Sequence, residues 1–160
     1  MEKKFNLVVI LDNIRSTYNV GAIFRTADAI GVKKIYLCGI TPTPSKNIKI
    51  KKVALGAEDY VSWEKVSQTW RLLNRLKKEG YFLIALEQNK KAKNIFKTKK
   101  INKQKLALIL GTEVKGLSSK ILKYIDLILE IPMYGQKESL NVSVAFGIAV
   151  YTLRHFWYNK

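Results

Sequence analysis

This chain of 160 residues is short of the residues that most enzymes use for metal and nucleophilic chemistry. It has one cysteine, Cys38, so it cannot form an intramolecular disulfide, and the apolar run KKIYLCG around it marks a core position. A reducing compartment, the cytoplasm, is expected. It has one histidine, His155, with no motif around it, which argues against a zinc site and against a Ser/His/acid triad. No apolar run approaches the ~18 residues of a membrane-spanning helix. The start MEKKFNLVVILDN is basic, briefly apolar and then acidic, without a small-residue cleavage site, and reads as a first strand rather than a signal peptide. Acidic residues are also scarce: 12 Asp and Glu stand against 29 Lys and Arg, for a net charge of +17. AT-rich coding enriches lysine, but it enriches glutamate too. The excess therefore points to a polyanionic partner, with nucleic acid first.

Five apolar runs of strand length alternate with helical patterns: Phe5–Leu11, Lys33–Cys38, Tyr81–Leu86, Leu106–Leu110 and Leu127–Ile131. Asn19 offers an N-cap to a helix over Val20–Ile30 that stops at Gly31. Thr41–Lys52, with two prolines and the basic cluster KNIKIKK, reads as a loop. Trp63–Glu79 reads as an amphipathic helix with Val66, Trp70, Leu73 and Leu76 on one face, Ser118–Tyr124 as a short helix, and Leu140–Tyr158 as a long one. Such alternation predicts a single α/β domain over residues 1–160 with a largely parallel sheet. Lys90–Lys105 holds eight lysines and no acid. It is either a solvated connection or a phosphate-contacting surface.

Familiar ligand motifs fail. Gly111 and Gly116 are spaced as in a P-loop, but Leu117 stands where that loop needs lysine. No G-x-G-x-x-G follows a strand, so an ordinary dinucleotide site is unsupported. Three segments that leave predicted strands remain: Asn19–Arg25 (NVGAIFR), Leu110–Ser118 (LGTEVKGLS) and Ile131–Gly147 (IPMYGQKESLNVSVAFG). Open α/β sheets bind ligands at the carboxyl ends of their strands, and glycines there let backbone approach a ligand closely. Taken singly, Asn19 could be only a helix cap and Arg25 only an ion-pair partner of Asp28. Together with Glu113, Ser139 and Asn141 they form a candidate constellation.

These segments closely resemble the three motifs of the SpoU (TrmH-like) ribose 2′-O-methyltransferases of the SPOUT class. Asn19–Asp28 matches the first, Leu110–Ser118 the second and Ile131–Ala145 the third, in the family's order. The resemblance implies a parallel sheet with a deep trefoil knot in its C-terminal part, a homodimer, and S-adenosylmethionine held by the loops after Leu86, Leu110 and Ile131. Leu86, Gly111, Ile131, Met133 and Leu140 would bind that cofactor. Arg25 would act at the ribose 2′-hydroxyl with the neighbouring phosphate, Asn19 would order the first motif, Glu113 would position Arg25 or the ribose, and Ser139 and Asn141 would fix the third motif. The substrate implied is tRNA or rRNA, bound by the basic catalytic domain itself because the additional N-terminal RNA-binding domain of some relatives is lacking. A non-catalytic RNA-binding relative and a SPOUT base methyltransferase are the competing readings.

Overall fold

The computed structural model describes residues 5–98 and 101–158. Seven strands run through it: β1 (Leu7–Asp12), β2 (Lys34–Cys38), β3 (Ser62–Val66), β4 (Phe82–Leu86), β5 (Lys93–Asn94), β6 (Leu106–Leu110) and β7 (Leu127–Glu130). They form one sheet in the order β3-β2-β1-β6-β4-β7-β5, and every pairing is parallel. The helices are α1 (Thr17–Ile30), α2 (Ile48–Ala54), α3 (Ala57–Tyr60), α4 (Thr69–Lys78), α5 (Ser119–Leu122) and α6 (Val142–Tyr158).

The central strands are apolar throughout because both faces are covered. β1 turns Leu7, Val9 and Leu11 into the cluster shared with α1, α2 and α6, and Val8 and Ile10 into the cluster shared with α4 and α5. Two separate cores on a buried parallel sheet explain why these runs do not alternate in polarity.

Several expected elements change when the sheet assembles. The pattern over Trp63–Glu79 divides: Ser62–Val66 pairs with β2 as an edge strand, and α4 begins only at Thr69. Pairing with a neighbouring strand overrides the helical spacing, since a half-buried edge strand fits either pattern over five residues. The expected loop Thr41–Lys52 contains a 3₁₀ turn at Pro44–Lys46 and then α2, which Asn47 caps by accepting the Lys49 N–H at 3.1 Å. Only Ile50 and Ala54 of α2 are buried, too few to reveal a helical period. Gly21 of α1 makes room for this helix; a Cβ there would lie 2.8 Å from the Ile50 carbonyl oxygen and 2.8 Å from Val53 Cβ. The fifth strand in sequence is also new, a two-residue pairing with β7 inside the lysine-rich segment. Lys99 and Lys100 of that segment lie outside the described residues.

The cap of α1 is Ser16, not Asn19. Ser16 Oγ accepts the Asn19 N–H at 3.2 Å, so Asn19 sits in the first turn with its carboxamide available for other work. Gly31 closes the helix in the left-handed region at φ +76°, as its position predicts. The long last helix begins at Val142 rather than Leu140, because Asn141 Oδ1 accepts the Ser143 N–H at 2.9 Å and caps it.

The strand exits are tied to one another. Thr41, fully buried, accepts the Ile14 N–H at 3.0 Å, and its hydroxyl lies 3.0 Å from the Leu11 carbonyl and 2.7 Å from that of Cys38. Thr41→Val keeps the shape and removes every one of these bonds, so it is expected to cost about 1–3 kcal/mol. Urea unfolding checks this: the midpoint should fall while the slope stays constant.

Cys38 is buried, and that burial pushes its thiol up to about 12, so it is an inert core residue. Among the described residues no helix is long and apolar enough to cross a membrane, and no group of His, Cys, Asp and Glu could hold a metal ion.

Candidate functional site

Strands β6, β4 and β7 are adjacent in the sheet, and their carboxyl ends open on one cavity. It encloses about 580 Å³ of empty space, its open mouth included. Leu86, Gly111, Ile131, Met133 and Leu140, the residues expected to bind a cofactor, all line it, as does Ser139. The aliphatic side chains of Leu86, Leu110, Ile131, Leu140 and Val142 dominate the lining, which takes residues from three strand exits.

Each exit is held by a specific bond. Glu87 N–H donates to the Leu129 carbonyl at 2.9 Å, and Gln88 Nε2 donates to the Ile131 carbonyl at 2.8 Å, which fastens the end of β4 to the end of β7. The turn after β6 closes on itself through the Gly116 N–H and the Thr112 carbonyl at 2.9 Å. Glu87 Oε2 then accepts the Leu117 N–H at 2.7 Å and clips that turn to β4. Two glycines make this possible. A Cβ on Gly111 would lie 2.8 Å from the Gly116 carbonyl carbon, and Gly116 has φ +60° with the Glu87 carboxylate directly against it.

A second set of bonds brings together residues that are far apart in sequence. Glu113 Oε1 accepts the Asn19 Nδ2–H at 3.4 Å and the Val142 N–H at 3.1 Å. Asn141 Nδ2 donates to Asn19 Oδ1 at 3.1 Å. One carboxylate at the start of α6, where the helix N-terminus favours negative charge, thus joins the beginnings of α1 and α6 to the turn after β6. Asn19, Glu113 and Asn141 are one hydrogen-bonded unit, and Glu113 and Ser139 also border the cavity. Asn141 does not line the cavity; its carboxamide caps α6 and holds Asn19.

Arg25 stands apart. It lies on the exposed surface of α1, it is not among the residues that line the cavity, and Glu113 reaches Asn19 rather than Arg25. Among the described residues Arg25 forms no ion pair with Asp28.

Sequence reasoning overlooked Glu87, Gln88 and Glu130, which also line the cavity. The first two follow the strand Tyr81–Leu86, so the strand-exit rule that singled out Glu113 would have reached them as well. Burial raises the Glu87 carboxyl above the usual range, partly offset by the N–H groups of Leu117 and Gln88.

A model of the SpoU rRNA Methylase family matches residues 6–151. A tRNA (guanosine(18)-2′-O)-methyltransferase of Borreliella burgdorferi is 33% identical over 147 residues, which take in 92% of this chain and 65% of that protein. The solved TrmH/SpoU tRNA modifying enzyme of A. aeolicus aligns with a TM-score of 0.84 at 32% identity, over 97% of this chain and 77% of that one. An AdoMet-bound rRNA methyltransferase from Sinorhizobium meliloti aligns with a TM-score of 0.87 at 25% identity, over 95% of this chain and 57% of that one. This chain therefore spans less than two thirds of the length of the Borreliella and Sinorhizobium proteins. The family match runs over most of the chain and takes in all three segments, Asn19–Arg25, Leu110–Ser118 and Ile131–Gly147: the chain belongs to the SpoU rRNA Methylase family.

Proposed function

We propose that this chain is an S-adenosylmethionine-dependent RNA methyltransferase acting on a ribose 2′-hydroxyl of tRNA or rRNA. The observation that carries the reading is the cavity over β6, β4 and β7, apolar in its walls and acidic in its ionisable groups. Such a lining suits an adenosine that bears a positive charge. Relatives support the same reading: the Borreliella protein is a tRNA (guanosine(18)-2′-O)-methyltransferase, and the Sinorhizobium rRNA methyltransferase is AdoMet-bound. When bound, S-adenosylmethionine supplies a methyl group already activated by its sulfonium.

The protein's own task is then alignment and proton removal. Leu86, Gly111, Ile131, Met133 and Leu140 hold the cofactor, and the Asn19–Glu113–Asn141 unit keeps the first and third motifs in fixed relation to it. Ser139, on the cavity border, positions the third motif against cofactor and ribose. Arg25 grips the phosphate beside the target ribose through its forked N–H groups, and that phosphate helps accept or relay the hydroxyl proton; a guanidinium already carries all its protons and has no lone pair to take another.

Because Arg25 lies outside its own cavity, we infer that the site is completed in a homodimer, with Arg25 of one protomer facing the cavity of its partner. Its exposure supports this, as do exposed Tyr18 on α1 and Val144 and Tyr151 on α6, two helices that pack together. The insertion of β6 between β1 and β4, so that the chain returns between strands already laid down, supports a trefoil knot. One domain over residues 1–160, a cytoplasmic location, and RNA held by the +17 surface complete the proposal.

Incubation with methyl-labelled S-adenosylmethionine and either tRNA or rRNA tests it. The label is expected in an alkali-resistant dinucleotide, since a 2′-O-methyl group blocks cleavage of the neighbouring linkage. Label in a base identifies a base methyltransferase, and absence of label with RNA bound identifies a non-catalytic relative.

A further inference from the structure

The charge inside the cavity opposes the charge of the chain. The sequence carries +17, yet among the described residues every ionisable group lining the cavity is a carboxylate: Glu87, Glu113 and Glu130. Glu113 is committed to Asn19 and the start of α6. Glu87 holds the turn after β6 through Leu117. Glu130, the last residue of β7, forms no ion pair among the described residues. Glu113 already has a reason for its charge at the start of α6; glutamine would also offer an oxygen to the Leu117 N–H, and Glu130 has no ion pair among the described residues, so the charges of Glu87 and Glu130 call for a separate reason.

We propose that Glu87 and Glu130 make the cavity charge-selective, favouring the cationic sulfonium donor over its neutral thioether product and over anionic adenine nucleotides. This rests on the reading above that the cavity takes S-adenosylmethionine. The donor and its product share adenine, ribose and an amino-acid tail, and differ by one methyl group and one positive charge. Aliphatic walls such as Leu86, Leu110 and Ile131 grip the shared parts and barely tell the two apart. Carboxylates do, because a unit charge a few ångströms away in a half-buried site is worth on the order of tenfold in affinity. The same charges repel phosphate. A strongly basic surface gathers nucleotides and RNA backbone around the molecule, and an acidic cavity keeps them out of the cofactor's place. Burial raises the Glu87 carboxyl above its usual range, and among the described residues no ion pair offsets it.

Calorimetry of the wild-type chain, Glu87→Gln, Glu130→Gln and the double variant with S-adenosylmethionine, S-adenosylhomocysteine and 5′-AMP tests the proposal. It is run at one pH and constant ionic strength, since charge–charge effects are screened by salt. Each substitution is expected to weaken the sulfonium ligand by about tenfold while the thioether changes less than about twofold, and 5′-AMP should bind more tightly to the double variant. Equal weakening of both sulfur ligands, or no change in their ratio, overturns the proposal and leaves the glutamates as structural clips. If the wild-type chain binds neither sulfur ligand, the assignment of the cavity itself is what fails. Thermal melts confirm folding. Glu130→Gln, at a strand end away from the Leu117 clip, keeps the test decisive if Glu87→Gln does not fold.

Discussion

Arg25→Ala is expected to lower methyl transfer by about a thousandfold or more while S-adenosylmethionine affinity changes less than about twofold. The reason is spatial. Arg25 sits on the exposed surface of α1 and contributes nothing to the cavity lining, so its loss leaves the cofactor's surroundings intact. It also removes no hydrogen bond or ion pair among the described residues, so the fold should keep its stability. What disappears is a planar cation placed to hold a phosphate and stabilise charge in the transition state. Calorimetry and a labelled-methyl assay on the same preparation separate the two effects. Lysine should rescue poorly, since a point charge cannot replace the fork. The dimeric arrangement is open to the same logic. Mixing Arg25→Ala chains with chains inactivated at the cavity should restore activity if each site takes Arg25 from the partner, and should not if the site is built within one chain.

The second large effect is expected at Gly111. An added methyl group there would lie 2.8 Å from the carbonyl carbon and oxygen of Gly116 and 2.9 Å from Leu117 Cδ2. The turn has nowhere to retreat. Gly116 is bound back to Thr112, and on its other side it abuts the Glu87 carboxylate that also holds Leu117. Gly111→Ala must therefore open the turn or push it into the cavity, and either movement displaces Glu113 from Asn19 and Val142. A loss of cofactor affinity of about a hundredfold and of stability of about 1–3 kcal/mol is expected. Gly135→Ala supplies the control: nothing lies within 4 Å of a Cβ built there, and both quantities should stay near wild type. Unaltered cofactor binding in Gly111→Ala would show that the turn after β6 is not part of the binding site.

The sequence alone disclosed much of this, for identifiable reasons. Strands buried on both faces, such as β1 and β6, announce themselves as apolar runs. Gly111 at the exit of β6 lies in the cavity lining, and the other four residues expected to bind a cofactor border the same cavity. The edge of the sheet was misread. β3 carries a pattern that suits a helix until β2 lies beside it, and α2 is too short and too basic to show a buried face. Asn19 illustrates the limit at the site itself. A helix-start asparagine looks like a cap, and only the folded chain shows Ser16 taking that duty while Asn19 reaches Glu113 and Asn141.

The chain's sequence by itself determined its charge, its inert cysteine, its parallel-sheet pattern and the three motifs, because composition and local spacing are properties of neighbouring residues. Tertiary structure alone decided that Glu113 ties Asn19 to the start of α6, that Glu87 joins it at the cavity, and that Arg25 stays outside. Those relations depend on the order of strands across the sheet. That order is set by which faces bury one another, and adjacent positions in the chain do not encode it.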